Sequence, residues 1–123
     1  MKYQKDIRDC TLEFAISIVK LSAELKKNKI DFDVIDQIRR SGTSVGANVK
    51  EAKSSSSKKE LIRYYSIALR SANETDYWFE IITKGYEYKS ELLINSWQEL
   101  KQIEKVISVI IMKLKQETPV AVF

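Results

Sequence analysis

The sequence predicts an all-α protein: an antiparallel up-down-up-down four-helix bundle that forms one domain over residues 1–123. Apolar residues recur at alternating spacings of three and four along four segments, which is the period of an amphipathic helix. The chain holds only one proline and three glycines, too few for the many turns of a β protein. Short connections between the segments make neighbouring helices antiparallel.

Helix one is predicted over about residues 4–27, with two apolar stripes on opposite sides. The inner stripe, which is expected to face the core, consists of Tyr3, Ile7, Cys10, Phe14, Ile18, Leu21 and Leu25. Because no basic activator is in view, Cys10 is interpreted as a small core residue rather than a nucleophile. The outer stripe consists of Leu12, Ile16, Val19 and Ala23.

The outer stripe predicts an oligomer, because a helix in a monomeric bundle needs only one buried face. We therefore expect these four residues to contact another copy of the chain. The alternative is that the short apolar tail at residues 120–123 packs on them; this tail either frays or docks on a neighbour.

Helix two is predicted over about residues 33–53, with Asp33 as its N-cap. Its apolar side contains small residues, among them Gly42 and Gly46 four positions apart. Each glycine costs a helix roughly 0.5–1 kcal/mol relative to alanine. Close packing against another backbone would offset this cost, and the small residues at 68–75 of helix three are the expected partner.

Helix three is predicted over about residues 58–84, after a turn of four serines at residues 54–57. Ser57 and Glu60 have the spacing of a capping box, and Gly85 is expected to end the helix in a left-handed conformation. The buried face is expected to comprise Leu61, Tyr64, Ala68, Ser71, Ala72, Thr75, Trp78, Phe79 and Ile82.

Helix four is predicted over about residues 90–117 and is stopped by Pro119. Its apolar residues again follow a three-four spacing and should face the core of the bundle. They are Leu93, Ser96, Leu100, Ile103, Ile107, Ile110 and Leu114, widened by Trp97 and Ile111.

Composition excludes several kinds of site. With no histidine and one cysteine, the chain cannot build the usual zinc sites or a Ser-His or Cys-His triad. The glycines at 42 and 46 lack the GK[ST] ending of a phosphate-binding loop. We expect no catalytic residues, metal or cofactor. No apolar run reaches the length of a membrane span, and the single cysteine rules out an internal disulfide, so a cytoplasmic protein without a membrane partner is expected.

A set of polar residues at the edges of helices two and three predicts a structural hydrogen-bond network. The alternative is a pair of carboxylates for acid–base chemistry, which would need the two glutamates of the set to lie exposed in a cleft. Networks of this kind fix the register between helices when every member is satisfied. The set consists of Ser44, Asn48, Glu51, Ser71 and Glu74.

Positive charge is concentrated in the middle of the chain. Residues 37–73 contain eight basic and two acidic residues, a charge of +6 in a chain whose net charge is +4. The pattern predicts one basic surface on helices two and three, with Tyr77 beside it, although a merely solvated surface is the alternative. The candidate nucleic-acid-binding residues are Arg39, Lys50, Lys53, Lys59, Arg63 and Arg70.

Two segments carry a family resemblance: residues 39–52, RRSGTSVGANVKEA, and residues 61–74, LIRYYSIALRSANE. With them the chain resembles the bacterial four-helix bundle proteins known as 23S rRNA intervening-sequence proteins. Some relatives are encoded within ribosomal RNA genes, and others resemble the accessory protein of diversity-generating retroelements, which binds a reverse transcriptase and nucleic acid. The resemblance implies a homopentamer without an established enzymatic activity.

Together these observations predict a non-enzymatic homo-oligomeric adaptor. Its expected partners are other copies of itself, most simply in a pentamer, and RNA or a reverse transcriptase-like protein bound through the basic surface. The alternative function is a purely protein-binding scaffold without a nucleic-acid role.

Overall fold

The computed structural model describes residues 6–117, and within them the chain forms four long helices. The predicted fold class, an all-α four-helix bundle, is confirmed. The helices are α1 (Ile7–Lys27), α2 (Phe32–Lys53), α3 (Lys58–Glu80) and α4 (Glu91–Glu117), and α3 continues into a π-helical turn (Ile81–Gly85).

Contacts between side chains show that neighbouring helices run antiparallel. Between α2 and α3, Ser41 meets Thr75 while Ser44 meets Ser71, so one helix ascends as the other descends. Each helix packs on two neighbours, since α1 and α3 both pack on α2 and α4. The order around the bundle is therefore α1, α2, α3, α4.

The first helix begins slightly later than predicted. Asp6 is its N-cap, with an extended backbone and a carboxylate that accepts a hydrogen bond from the Arg8 backbone N–H at 2.8 Å. This is the capping geometry that satisfies an unpaired N–H at a helix start. The predicted start at residue 4 lies outside the described residues, as do Tyr3, Pro119 and the tail at residues 120–123.

The predicted N-cap of the second helix is wrong by two residues. Asp31, not Asp33, occupies the cap position of α2, and its side chain makes no capping bond. The Asp31 carboxylate instead accepts a hydrogen bond from the Tyr86 hydroxyl at 2.6 Å. Asp33 lies in the first turn, where a negative charge favours the helix dipole. A tertiary contact has thus replaced the local cap.

The two ends of the third helix have different outcomes. At its start one half of the capping box is confirmed, because the Glu60 backbone N–H donates to Ser57 Oγ at 3.1 Å. The Glu60 carboxylate accepts instead from the Ser56 backbone N–H, one residue before the cap, at 3.2 Å. At its end the predicted left-handed Gly85 is wrong, since this glycine has a negative φ and belongs to the π-helical turn. The left-handed conformation is taken by Glu87, with a φ of 52°, two residues later.

The core contains the inner stripe of α1 together with apolar residues of α2 and α4. Phe14, Ile18, Leu21 and Leu25 are fully buried, and Cys10 is half-buried against the core. On α3 the core also includes Tyr65, which the spacing did not predict, with 3% of its surface exposed. The helix-one assignment is therefore correct, and the buried face of α3 is rotated slightly toward α4.

The two glycines of α2 pack against α1 rather than against α3. A Cβ atom added to Gly42 would lie 2.9 Å from Ile18 Cγ1, and one added to Gly46 would lie 3.2 Å from the Thr11 carbonyl oxygen. Both positions therefore exclude a side chain unless a neighbour moves. The prediction that these glycines allow close packing is right, but the helix they contact is α1.

Candidate functional site

A seam of small hydroxyl side chains joins α2 to α3. The Thr75 hydroxyl donates to Ser41 Oγ at 2.8 Å in the buried part of the seam. One turn along, Ser44 and Ser71 share a hydrogen bond of 3.0 Å. Asn48 Nδ2 donates to Ser44 Oγ, also at 3.0 Å. These bonds fix the register of the two helices, because a shift along either axis would leave half-buried hydroxyls without partners.

The network in the structure is smaller than the one the sequence predicts. Glu51 and Glu74 are both exposed, and within residues 6–117 neither carboxylate has a hydrogen-bond or ion-pair partner. The seam is thus a contact between neutral side chains, and the two glutamates of the predicted network take no part in it. The same part of the chain contains no group of three or more histidine, cysteine, aspartate or glutamate side chains placed to hold a metal ion.

The outer stripe of α1 lies on the surface of the single chain. Leu12, Ile16 and Val19 keep 59%, 46% and 54% of their surface exposed, and Ala23 is exposed beside them. Phe32, at the start of α2, is 70% exposed. Large apolar side chains grouped in this way on one side of a molecule mark a surface that contacts another protein or membrane.

The candidate basic residues of α2 flank this apolar surface. Lys50 lines a groove between α1 and α2 beside Leu12, and Arg39 lines a second groove beside Val19. Lys53 lies near enough to Asp6, the N-cap of α1, to lower the pKa of its carboxyl, although hydrogen bonds from Arg8 are the larger cause. All three cations are therefore on the α1 side of α2.

The candidate basic residues of α3 lie elsewhere. Lys59, Arg63 and Arg70 are exposed and recur at helical spacings of four and seven, on one face of α3. Tyr77, 60% exposed, continues this face one further interval of seven along the helix. Within residues 6–117 none of the three cations forms an ion pair, and the Arg63 guanidinium lies 5.1 Å from the centre of the Tyr64 ring. We call these three cations and Tyr77 the α3 face.

The structure therefore does not join the six cations in one surface. The α2 helix presents Ser44 to α3 and its cations to α1, so the two sets are on different sides of α2. The sequence contained a signal for this division. Ser44 and the α2 cations lie on opposite edges of the apolar arc of α2, so only one of those edges can meet α3.

A cluster between α3 and α4 was missed entirely by the sequence analysis. The Asp76 carboxylate accepts one hydrogen bond from Trp97 Nε1 and another from Lys101 Nζ, each at 2.6 Å. Trp97 also stacks on Phe79, with ring centres 5.4 Å apart. Glu104 lies one turn beyond Lys101, with its carboxylate 3.7 Å from Lys101 Nζ.

The two carboxyl groups of this cluster have opposite pKa shifts. Burial raises the pKa of Glu104 to about 7, and the negative charge of Asp76 adds to the increase. The Glu104 side chain is only 16% exposed, and its Oε2 atom has no hydrogen-bond partner. Burial also acts to raise the pKa of Asp76, but hydrogen bonds from Lys101 and Trp97 outweigh it and keep that pKa below its usual value. The pair therefore shares one proton near neutral pH.

Comparison with known proteins identifies the family of this bundle. The model of the 23S rRNA-intervening sequence protein family matches residues 4–109. The chain belongs to this family. A crystal structure at 1.70 Å of a protein with unknown function from the S23 ribosomal protein family of Bacteroides thetaiotaomicron VPI-5482 is 37% identical to it, with a TM-score of 0.81. That similarity covers 86% of this chain and 98% of the other. No curated protein matches at a significant level.

As a 23S rRNA-intervening sequence family member, the chain combines the family's helical bundle with three features described above. These are an exposed apolar surface on α1, unpaired cations on α3, and a proton-sharing cluster between α3 and α4. Across residues 6–117, none of the helices has the length and apolar character needed to cross a bilayer.

Proposed function

We propose that this protein is a non-enzymatic homo-oligomeric adaptor of the cytoplasm that binds RNA through the α3 face. The observation that carries the proposal is the state of the cations on that face. Arg39 and Arg40 of α2 are both paired with Asp36, at 3.5 and 2.8 Å, whereas the three cations of the α3 face have no carboxylate partner within the described chain.

Unpaired cations in a row suit a phosphate backbone. Binding releases the counterions that surround the nucleic acid, and this release supplies most of the affinity of non-specific complexes. An exposed aromatic ring in the same row can stack on an unpaired base, which is the usual way proteins hold single-stranded RNA. Tyr77 supplies such a ring at the end of the row.

The oligomeric part of the proposal rests on the outer stripe. Its exposed leucine, isoleucine and valine would gain about 25 cal/mol for each square ångström of apolar surface removed from water. The family resemblance favours a pentamer. Assembly would also repeat the α3 face around the ring, so that one RNA could contact several copies and gain affinity through multivalency.

The test is RNA binding by the full chain at several salt concentrations. We expect a fluorescently labelled single-stranded RNA to bind at low salt, with an affinity that falls steeply as salt rises. The double variant Lys59→Glu/Arg63→Glu should weaken binding at least tenfold and reduce the slope of log affinity against log salt by about two, one for each lost phosphate contact.

The matched control reverses two charges on a different helix. Lys105→Glu/Lys113→Glu changes the net charge equally but leaves the α3 face intact, because both lysines lie exposed on α4. An equal loss of affinity in this control would contradict a specific role for the α3 face. No binding by the wild-type chain at low salt is the result expected of a purely protein-binding scaffold instead.

A further inference from the structure

We infer that copies of this chain associate head to tail, with the α1/α2 face of one copy seated on the α1/α4 face of the next. The α1/α2 face comprises the two grooves beside the outer stripe. The α1/α4 face comprises the groove on the other side of α1. The inference rests on the proposed homo-oligomer and assigns the two surfaces that meet in it.

The α1/α2 face is apolar with a positive rim. Leu12, Ala15 and Ala47 line one groove, and Val19, Ala23 and Phe32 line the other. The charged residues that border them are Arg8, Lys50, Lys26 and Arg39, with Asp9 as the one acid among the groove-lining residues described. Arg8 is paired with Asp6 and Arg39 with Asp36, so the excess positive charge of this rim comes from Lys26 and Lys50.

The α1/α4 face is apolar with a negative rim. Ile7, Cys10, Ile103 and Val106 line its groove, and Val106 keeps 44% of its surface exposed. Among the described residues that line this groove, the charged ones are both acids, Glu13 from α1 and Glu99 from α4. Glu99 is held in place by a hydrogen bond from the Ser17 hydroxyl at 3.1 Å.

Charge distinguishes this contact from a symmetric dimer. In a two-fold contact the α1/α2 face would meet its own copy and bring its cations together, and like charges facing each other in an interface cost several kcal/mol. Pairing it with the α1/α4 face sets cations opposite acids and one apolar groove against another. The two surfaces are different, so the contact is heterologous and each copy can bind two neighbours.

The shape of the bundle favours a small closed ring. The two faces share α1 and belong to adjacent sides of a four-helix bundle, so they meet at about a right angle, and about four or five copies complete a circle. The outer stripe then points toward the ring axis. With 21 residues α1 is about 30 Å long, and a face two helices wide spans about 20 Å. One contact thus buries about 1,200 Å² in total, at the lower end of specific interfaces.

The same arrangement places Arg39 and Lys50 at the contact between copies. These cations then contribute to assembly, while the α3 face remains outside the contact and available to an anionic partner. Of the six predicted cations, those of α2 therefore serve assembly and those of α3 serve binding of the anionic partner.

The test uses two variants of the full chain, each with one face blocked. Leu12→Glu places an acid in the α1/α2 face, opposite the acids of the neighbouring copy, and Val106→Lys places a cation in the α1/α4 face. Both residues are exposed in the single chain, so the helical circular dichroism and melting behaviour of the monomer should be preserved. Mass is measured by light scattering and analytical ultracentrifugation.

We expect the wild-type chain to assemble, each variant alone to have the mass of one chain, and an equimolar mixture to form assemblies that contain both variants. Ile94→Lys, which adds the same charge to α4 outside both faces, should assemble like the wild type.

Two results would overturn the inference while leaving the oligomer intact: Val106→Lys assembling as well as the wild type, or a mixture of the two variants that remains single chains. A wild-type mass of one chain would instead remove the oligomer itself from the proposed function.

Discussion

Replacing Glu104 with glutamine should remove most of the pH dependence of stability between pH 5 and pH 8. In the wild type, the protonated Glu104 carboxyl lies close to the Asp76 carboxylate, and Lys101 Nζ lies 2.6 Å from Asp76 and 3.7 Å from Glu104. Glutamine has nearly the same shape and can donate a hydrogen bond to Asp76 from its amide. It cannot ionise, so the substitution removes the titration and keeps the contact.

The sign and size of this pH dependence follow from the raised pKa of Glu104. Glu104 has a pKa of about 7 in the folded chain against an ordinary value of 4.5, so between these values the folded chain binds more protons than the unfolded one. The free energy of unfolding therefore decreases as the pH rises from about 4.5 to about 7, and it is constant above pH 7. Each pKa unit corresponds to about 1.4 kcal/mol, which gives a total loss of about 3.5 kcal/mol, of which about 2.5 kcal/mol falls between pH 5 and pH 8.

The depressed pKa of Asp76 acts in a different pH window. It stabilises the fold above the unfolded pKa of this group, about 3.9, and that contribution is lost only as the pH falls further. The pH dependence of stability between pH 5 and pH 8 therefore comes from Glu104 and not from Asp76.

The assay is urea unfolding at pH 5, 6, 7 and 8 at one fixed protein concentration, because the stability of the proposed homo-oligomer would depend on concentration. The wild type should lose about 2.5 kcal/mol across this series, whereas Glu104→Gln should stay nearly constant and exceed the wild type at pH 8. Glu74→Gln, which removes an exposed carboxylate, should keep the wild-type slope. Parallel curves for the wild type and Glu104→Gln would refute the reasoning.

Two further substitutions test the packing of α2. Gly42→Ala should destabilise the fold by about 1–2 kcal/mol, because a Cβ 2.9 Å from Ile18 Cγ1 costs more by overpacking than the helix gains from alanine. Gly85→Ala is its control: the added methyl would meet Ile81 at 3.9 Å and φ is not positive, so thermal melting should show a small gain or no change. Thr75→Val should cost about 1–2 kcal/mol in urea unfolding, because it removes the hydroxyl bonded to Ser41 and leaves a buried polar atom behind. A Thr75→Val variant as stable as the wild type would show that the seam sets register without adding stability.

The sequence predicted the helices well because periodicity is a local property. The inner stripe of α1 and the buried arc of α2 follow from the spacing of apolar residues alone. The errors occur where a distant residue decides a local outcome. Asp31 caps α2 without a side-chain bond because its carboxylate is engaged by Tyr86, 55 residues later in the sequence. Gly85 continues a helical turn where a left-handed end was expected.

The cluster around Asp76 could not be predicted from the sequence at all. Asp76 and Trp97 are 21 residues apart, and Asp76 and Lys101 are 25 apart, on different helices. A single sequence contains no pattern that pairs them, since each looks like an ordinary residue at the edge of an amphipathic helix. Only the packing of α3 on α4 brings a second carboxyl group beside Asp76. The raised pKa of Glu104 is therefore a product of the tertiary structure.

The glycines of α2 also determine the stage of folding at which that helix can form. Alone, a helix of 22 residues with two interior glycines has little stability in water, so α2 should form only while α1 is present to receive it. During synthesis this condition is met, because α1 precedes α2 along the chain. The first hairpin can close as soon as α2 leaves the ribosome, and it then offers the Ser41–Ser44 edge on which α3 aligns. Because two missing side chains make α2 depend on α1, we expect folding to follow the direction of synthesis.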